Sequence, residues 1–334
     1  MATLYPGYFA LVMATGIISD ACARFGHATL SGALLAFACV AHAGLCAATA
    51  ARAWWFRAEL SRDLHDPRVI FSFFTVVAAS DVLGVQLAGH GYRAVAAALW
   101  VSSLAIWTAL SYFSFALLIF TNERRGAGVV HGGWLIAIVG TESLVLLGLL
   151  LAPGLGRWET PVFVLVHTLW GVGVVLYGVF VTLFCHRIFF SRVLPSEAMP
   201  LFWVIMGAAA ISANAGAGLL TCAPSSAALV ELRPFLLGAT LILWGWGTWW
   251  IPLLLLIGVW KHVVHRVPIV YHPMYWSLVF PLGMYSVASH RLSLAAGWPA
   301  LAALAHGVAW VAVGAWSAAM VGLVRGLGRS VAAR

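Results

Sequence analysis

Asp66–Gly84 reads DPRVIFSFFTVVAASDVLG, a predominantly apolar run whose only charged residue from Val69 onward is one carboxylate. With 1.5 Å of rise per residue, Asp81 lies roughly 15 Å along a helix that begins near Val69, close to the middle of a bilayer core about 30 Å thick. A carboxylate at that depth cannot face lipid. The helix that carries it must therefore stand inside a bundle, shielded by other helices.

The composition of the whole chain agrees. Of 334 residues, 63% are hydrophobic and only 8% are charged, which leaves too little polar surface to face water. The chain reads as an integral membrane protein. Its cysteines, Cys22, Cys39, Cys46, Cys185 and Cys222, form no CxxC pair and no cluster with histidine at metal spacing. They read as small packing residues, and no metal or cofactor is expected. The apolar run that starts at Tyr5 has no basic residue before it and no cleavage signal, so it is taken as a mature helix.

Apolar segments long enough to span fall at about 5–23, 31–51, 69–89, 94–120, 132–152, 161–185, 200–220, 234–260, 273–291 and 299–324. The expected architecture is all-α: one transmembrane domain over residues 1–334, with ten helices joined by short polar connections. With an inner N-terminus, thirteen basic residues fall on the inner side: Arg52, Arg57, Arg62, Arg68, Arg124, Arg125, Arg187, Arg192, Lys261, Arg266, Arg325, Arg329 and Arg334. Arg24, Arg93, Arg157, Arg233 and Arg291 fall outside. This asymmetry puts both termini in the cytoplasm. It also accounts for the net charge of +8 as a topology signal, with no nucleic-acid partner implied.

The odd segments open alike, with Pro or Gly followed closely by an aromatic: YPGYF, DPRVIFSFF, HGGW, MPLFW and HPMYW. The even segments are plainer. Five hairpins follow, with the odd helices as an inner ring around a pore and the even ones outside. The acids outside loops and helix ends, Asp20, Asp81 and Glu142, all lie in odd helices. Asp81 and Glu142 are expected at similar depth on neighbouring helices. They are candidates for pore lining and for sharing a proton, or else hydrogen-bonded packing residues. Gly16 and, in MPLFWVIMGAAAISANAGAGLL, Gly207 and Asn214 suit either close helix contact or a pore wall. In YWSLVFPLGMYSVAS (275–289), Pro281 removes a helix hydrogen bond and should kink the ninth helix beside Phe280. Gly283 and Gly16 would leave room there for a ring.

These openings, with YPGYFALVMATGI, FSFFTVVAASDVLG, GGWLIAIVGTESL, MPLFWVIMGAAAISA and YWSLVFPLGMYSVAS in that order, resemble the tellurite-resistance/dicarboxylate transporter family. That family includes fungal malate and sulfite carriers and the slow anion channels of plant guard cells. The resemblance covers nearly the whole chain. It implies a homotrimer with a pore in each protomer and an aromatic gate, whose counterpart here is Phe280. It also implies an anion as cargo, with halide, nitrate, malate or succinate, sulfite and tellurite as candidates, and a bacterial inner membrane as the location.

One feature pulls toward a proton-coupled carrier. Ionised Asp81 and Glu142 in the pore would repel an anion, so they either face away or carry a proton. An enzyme is disfavoured, since no nucleophile, base and acid stand at matching depth and His262 and His265 in KHVVHR lack a third ligand. Lys and Arg fall in loops and helix ends, so selectivity is expected from pore width and dehydration.

Overall fold

Each of the five odd segments begins with a 3-10 turn, at Pro6–Phe9, Ile70–Phe73, Gly132–Leu135, Pro200–Trp203 and Pro273–Tyr275. Proline suits the first helical position, where its missing N–H would have no partner. At two of the turns histidine caps: Nδ1 of His131 accepts the Gly133 N–H at 3.0 Å, and Nδ1 of His272 accepts that of Met274 at 3.2 Å. The computed structural model describes residues 3–121, 130–195, 197–198, 200–222, 224 and 226–332. Arg124, Arg125, Met199 and Arg334, used in the reading above, lie outside the described residues.

The turns lead into α1 (Ala10–Arg24), α4 (Phe74–Gly89), α6 (Ile136–Leu151), α8 (Val204–Thr221) and α11 (Trp276–Ala296). Between them run α2 (Ala28–Trp55), α5 (Arg93–Ala116), α7 (Glu159–Phe190), α10 (Arg233–Val259) and α12 (Pro299–Ala332). Two short helices, α3 (Arg57–Leu64) and α9 (Ala227–Glu231), occupy connections. The first corrects the sequence reading, which has only short polar connections between the ten helices. Its first turn carries Glu59, and Asp63 forms a 2.7 Å ion pair with the buried Arg52.

α1, α4, α6, α8 and α11 pack each on the next and close into a ring. In the windows of α1, α4, α6 and α8, 78–94% of residues are buried, against 17–33% in the surrounding helices. The expected division into inner and outer helices is therefore present. Among the described residues nine helices are long and apolar enough to cross a membrane; α11 falls short because it carries Ser277, Ser286, Ser289, His290 and Arg291. A helix with that polar load needs shelter from lipid, which the ring gives it.

Each outer helix makes a ring-nitrogen contact with the inner helix of the following hairpin. Nε1 donates from Trp107 to Thr141 Oγ1 (2.8 Å), from Trp170 to the Ser212 carbonyl (3.0 Å), from Trp244 to Ser289 Oγ (2.9 Å) and from Trp316 to Thr15 Oγ1 (3.0 Å). The fifth place is taken by His42, whose Nε2 is 2.9 Å from Ser80 Oγ. With no hydrophobic drive between helices in lipid, such polar links and close contacts hold the hairpins in cyclic order.

Basic side chains fasten the starts of the inner helices. Arg52 donates to the carbonyl of Leu4 at 2.7 Å, Arg187 to that of Val130, and Lys261 to that of Ala198 at 2.7 Å. Each acceptor lies two residues ahead of a 3-10 turn. At the other end of the bundle, Arg93 holds the carbonyls of Leu150 and Leu151 that end α6, at 3.0 and 2.7 Å.

His131, outside the spans, gives a pH-dependent contribution. Its Nε2–H donates to the Arg68 carbonyl at 2.8 Å while Nδ1 accepts, so the cap requires the neutral ring. Burial, helped by Arg187 and Arg68, pushes its pKa down to about 4. The unfolded ring takes a proton first, so this contribution is complete above the ordinary histidine value near 6.5 and is lost as pH falls toward about 4. Thermal unfolding in detergent should show Tm dropping through that window, with a smaller drop in His131→Asn.

Candidate functional site

On the axis of the ring, toward the C-terminal ends of the inner helices, lies a cavity of about 20 Å³. Every inner helix contributes to it: Ile17 and Asp20 from α1, Val82, Val85 and Gln86 from α4, Leu146 from α6, Asn214 from α8, and Met284 and Arg291 from α11. It has room for about one water-sized occupant.

The polar members converge from different helices. Arg291 Nη1 is 3.5 Å from the backbone carbonyl of Asn214, and a Cβ on Gly218 would come within 3.2 Å of the same nitrogen. The small residues of α8 thus make space for a guanidinium. Asn214 Nδ2 is 3.3 Å from Met284 Sδ, while its Oδ1 is buried without a protein partner. Asp20 is held by Arg24 at 3.0 Å. Two guanidinium groups and one carboxylate leave the mouth of the cavity with one excess positive charge.

Phe280 is buried at 2% exposure. Residues 280, 284 and 291 share one face of α11 by helical spacing, and the latter two line the cavity. Phe280 therefore stands on the axial face, one turn or about 6 Å before Met284. Pro281 sits within α11, which continues through it to Ala296, and its ring packs where α8 offers Gly207.

The glycines do not leave open wall. A Cβ on Gly16 would lie 2.7 Å from Val82 Cγ1, on Gly207 2.6 Å from Pro281 Cγ, and on Gly283 2.8 Å from Ile17 Cγ2. All three are contacts between adjacent inner helices, so the room expected around Phe280 at Gly16 and Gly283 is taken by Val82 and Ile17.

Asp81 and Glu142 are fully buried, but they do not share a hydrogen bond. Asp81 Oδ2 accepts from Ser143 Oγ at 2.8 Å, in the gap between α4 and α6. Glu142 lies against Gly173 of the outer helix α7, and neither of its oxygens has a protein partner. The cause is the repeat: each acid directly follows a hydroxyl, Ser80 or Thr141, that meets the ring nitrogen of an outer helix. Equivalent positions on neighbouring hairpins point the same way relative to their own hairpin, toward separate gaps. Neither acid lines the axial cavity.

Residues 3–324 match the model of the voltage-dependent anion channel family. The chain belongs to this family. An uncharacterized transporter of Methanocaldococcus jannaschii is 26% identical over 277 residues, covering 80% of this chain and 75% of its own. A second from the same organism is 25% identical over 224 residues, 65% of this chain and 63% of its own. An uncharacterized membrane protein of Mycobacterium tuberculosis is 38% identical over 156 residues, which is 47% of this chain and 79% of that one.

The voltage-dependent anion channel family, and relatives named as transporters, point to a channel or transporter rather than an enzyme. It is the family that the five openings resemble. Among the described residues no group of three His, Cys, Asp or Glu stands ready for a metal ion, and His262 is engaged with the Val267 carbonyl at 2.7 Å. Two polar cavity residues, Gln86 and Arg291, escaped the sequence reading. By sequence Arg291 reads as a helix-end residue of the outer side, whereas α11 runs five residues beyond it. The available signal was spacing: Arg291 repeats the face of Phe280 and Met284.

Proposed function

We propose that the protein is a channel for small monovalent anions, with its path along the axis of the inner ring and Phe280 as the closing side chain. The observation that carries this reading is the axial cavity lined by all five inner helices, with Arg291 its basic member. A guanidinium offers an anion charge and directed N–H donors where water is scarce. A site of about 20 Å³ accepts one compact ion, so halide or nitrate fits better than malate or succinate. The test is flux of purified protein in liposomes with a panel of competing anions at two pH values. Halide and nitrate flux exceeding dicarboxylate flux supports the reading, and dicarboxylate flux alone overturns it.

The second reading is a proton-coupled carrier of dicarboxylate, sulfite or tellurite, favoured by the unpartnered carboxyl of Glu142. The off-axis positions of both acids favour the channel. Glu142→Gln and Asp81→Asn are therefore expected to conduct with the pH response of the parent. Loss of that response in either variant would move the assignment to the carrier.

The proposal includes an inner-membrane location, an orientation with both termini cytoplasmic, which the distribution of basic residues supports, and a homotrimer with a separate path in each protomer. A reporter fused after Arg334 should be active only in the cytoplasm. A native mass spectrum in mild detergent should give the trimer mass.

A further inference from the structure

Two grooves of about 400 and 390 Å³ flank the foot of α11 on the surface of the bundle. They share Ile269, Tyr275 and Leu278, which form the ridge between them. One groove runs along α10, the other along α12. Their walls are almost wholly apolar, and neither lining contains Asp or Glu. At the same end each has a cation, Lys261 in the first and Arg325 in the second.

The segment that crosses below them is unusual for a connection. Val263, Val264, Ile269 and Val270 expose 64–75% of their surfaces. Val263 and Val264 lie in the turn Trp260–Val264 that ends α10, between the basic pairs of KHVVHR, and Ile269 and Val270 follow it. Exposed apolar groups beside cations, with Tyr271 and Tyr275 at the same level, are the signature of a segment set into the membrane interface. Lys261 uses one of its N–H donors on the Ala198 carbonyl and keeps two.

We propose that these grooves hold one anionic phospholipid of the cytoplasmic leaflet, its acyl chains on either side of the Ile269–Leu278 ridge and its phosphate and acidic headgroup met by Lys261 and Arg325. Paired grooves match a lipid with two chains, and cations with no acid beside them favour net negative charge. The leaflet follows from the proposed orientation, whereas the binding itself does not depend on it or on conduction. Leu278 and Val279 line the site, so the lipid bears on the foot of the helix that carries Phe280.

The test is native mass spectrometry of the full-length protein, titrated with phosphatidylglycerol or with phosphatidylcholine of the same chains. Phosphatidylglycerol should be retained preferentially. Arg325→Gln should weaken its retention about fivefold, the factor that corresponds to ~1 kcal/mol per basic residue at a membrane surface. Lys261→Gln should act in the same direction. If that variant loses folded protein through the Ala198 contact, Arg325→Gln, whose side chain is exposed, carries the test. Filling the grooves by Gly258→Leu, where a Cβ meets nothing within 4 Å, and by Ala318→Phe should reduce retention of both lipids. Equal retention of the two lipids, or no effect of Arg325→Gln and the groove variants, overturns the proposal. So does a change in oligomeric state with lipid retention intact, which would mean that another copy of the chain covers the grooves.

Discussion

Phe280→Ala should raise anion conductance severalfold or more. The expectation rests on where the ring stands: buried, on the axial face of α11, one turn before Met284 at the cavity. An aromatic plug blocks ions by excluding water, so an anion at that level would shed its hydration with only a hydrocarbon edge in exchange. Truncation to a methyl group lets water through. The competing account makes Phe280 a packing residue. It then predicts a void costing about 3–5 kcal/mol, less folded protein and no gain in flux. The two accounts differ in sign. Single-channel or macroscopic current in planar bilayers, compared with the parent at matched protein amount, separates them, and an unchanged or lower current removes the gate. Phe280→Leu gives a graded control, since a smaller apolar plug should conduct between the two.

The ring of hairpins was legible because membrane helices are constrained locally. Tyr5-Pro6-Gly7, His131-Gly132-Gly133 and His272-Pro273 announce the same 3-10 entry each time, and the polarity of Asp81 and Glu142 marks α4 and α6 as interior. What the acids touch was not legible. Depth along a helix follows from counting residues, but direction around it depends on how hairpins are rotated against each other. The sequence placed Asp81 and Glu142 at one level and hence near each other, whereas the repeat turns them into separate gaps. The sequence left close contact and pore wall both open at Gly16 and Gly207, for a related reason. Lack of bulk is required both at a pore wall and at a close contact, and only the neighbour, Val82 at Gly16 or Pro281 at Gly207, tells which applies. α3 was missed because amphipathic helices at an interface are polar enough to read as loops.

Arg291 carries the other large expectation: Arg291→Gln should lower anion conductance at least tenfold, and in the Phe280→Ala background should also weaken the preference for anions over cations. Along the axial cavity its guanidinium is the basic group, and Asp20 beside it is already matched by Arg24. Without Arg291 the pair Asp20–Arg24 leaves the mouth neutral. An anion entering a poorly solvated site then loses an attraction that, even at an effective dielectric of about 20, is worth ~4 kcal/mol at 4 Å. Retaining a third of that is enough for the tenfold loss, since about 1.4 kcal/mol is a factor of ten. Gln keeps donors and most of the length, so the variant isolates charge from shape. Arg291→Lys should then restore most of the conductance but not the discrimination between nitrate and halide, because a point charge lacks the planar fork that matches an oxyanion. Arg291→Gln that conducts like the parent in reversal-potential measurements, with the same anion preference, would show that the path avoids the cavity and runs elsewhere through the ring.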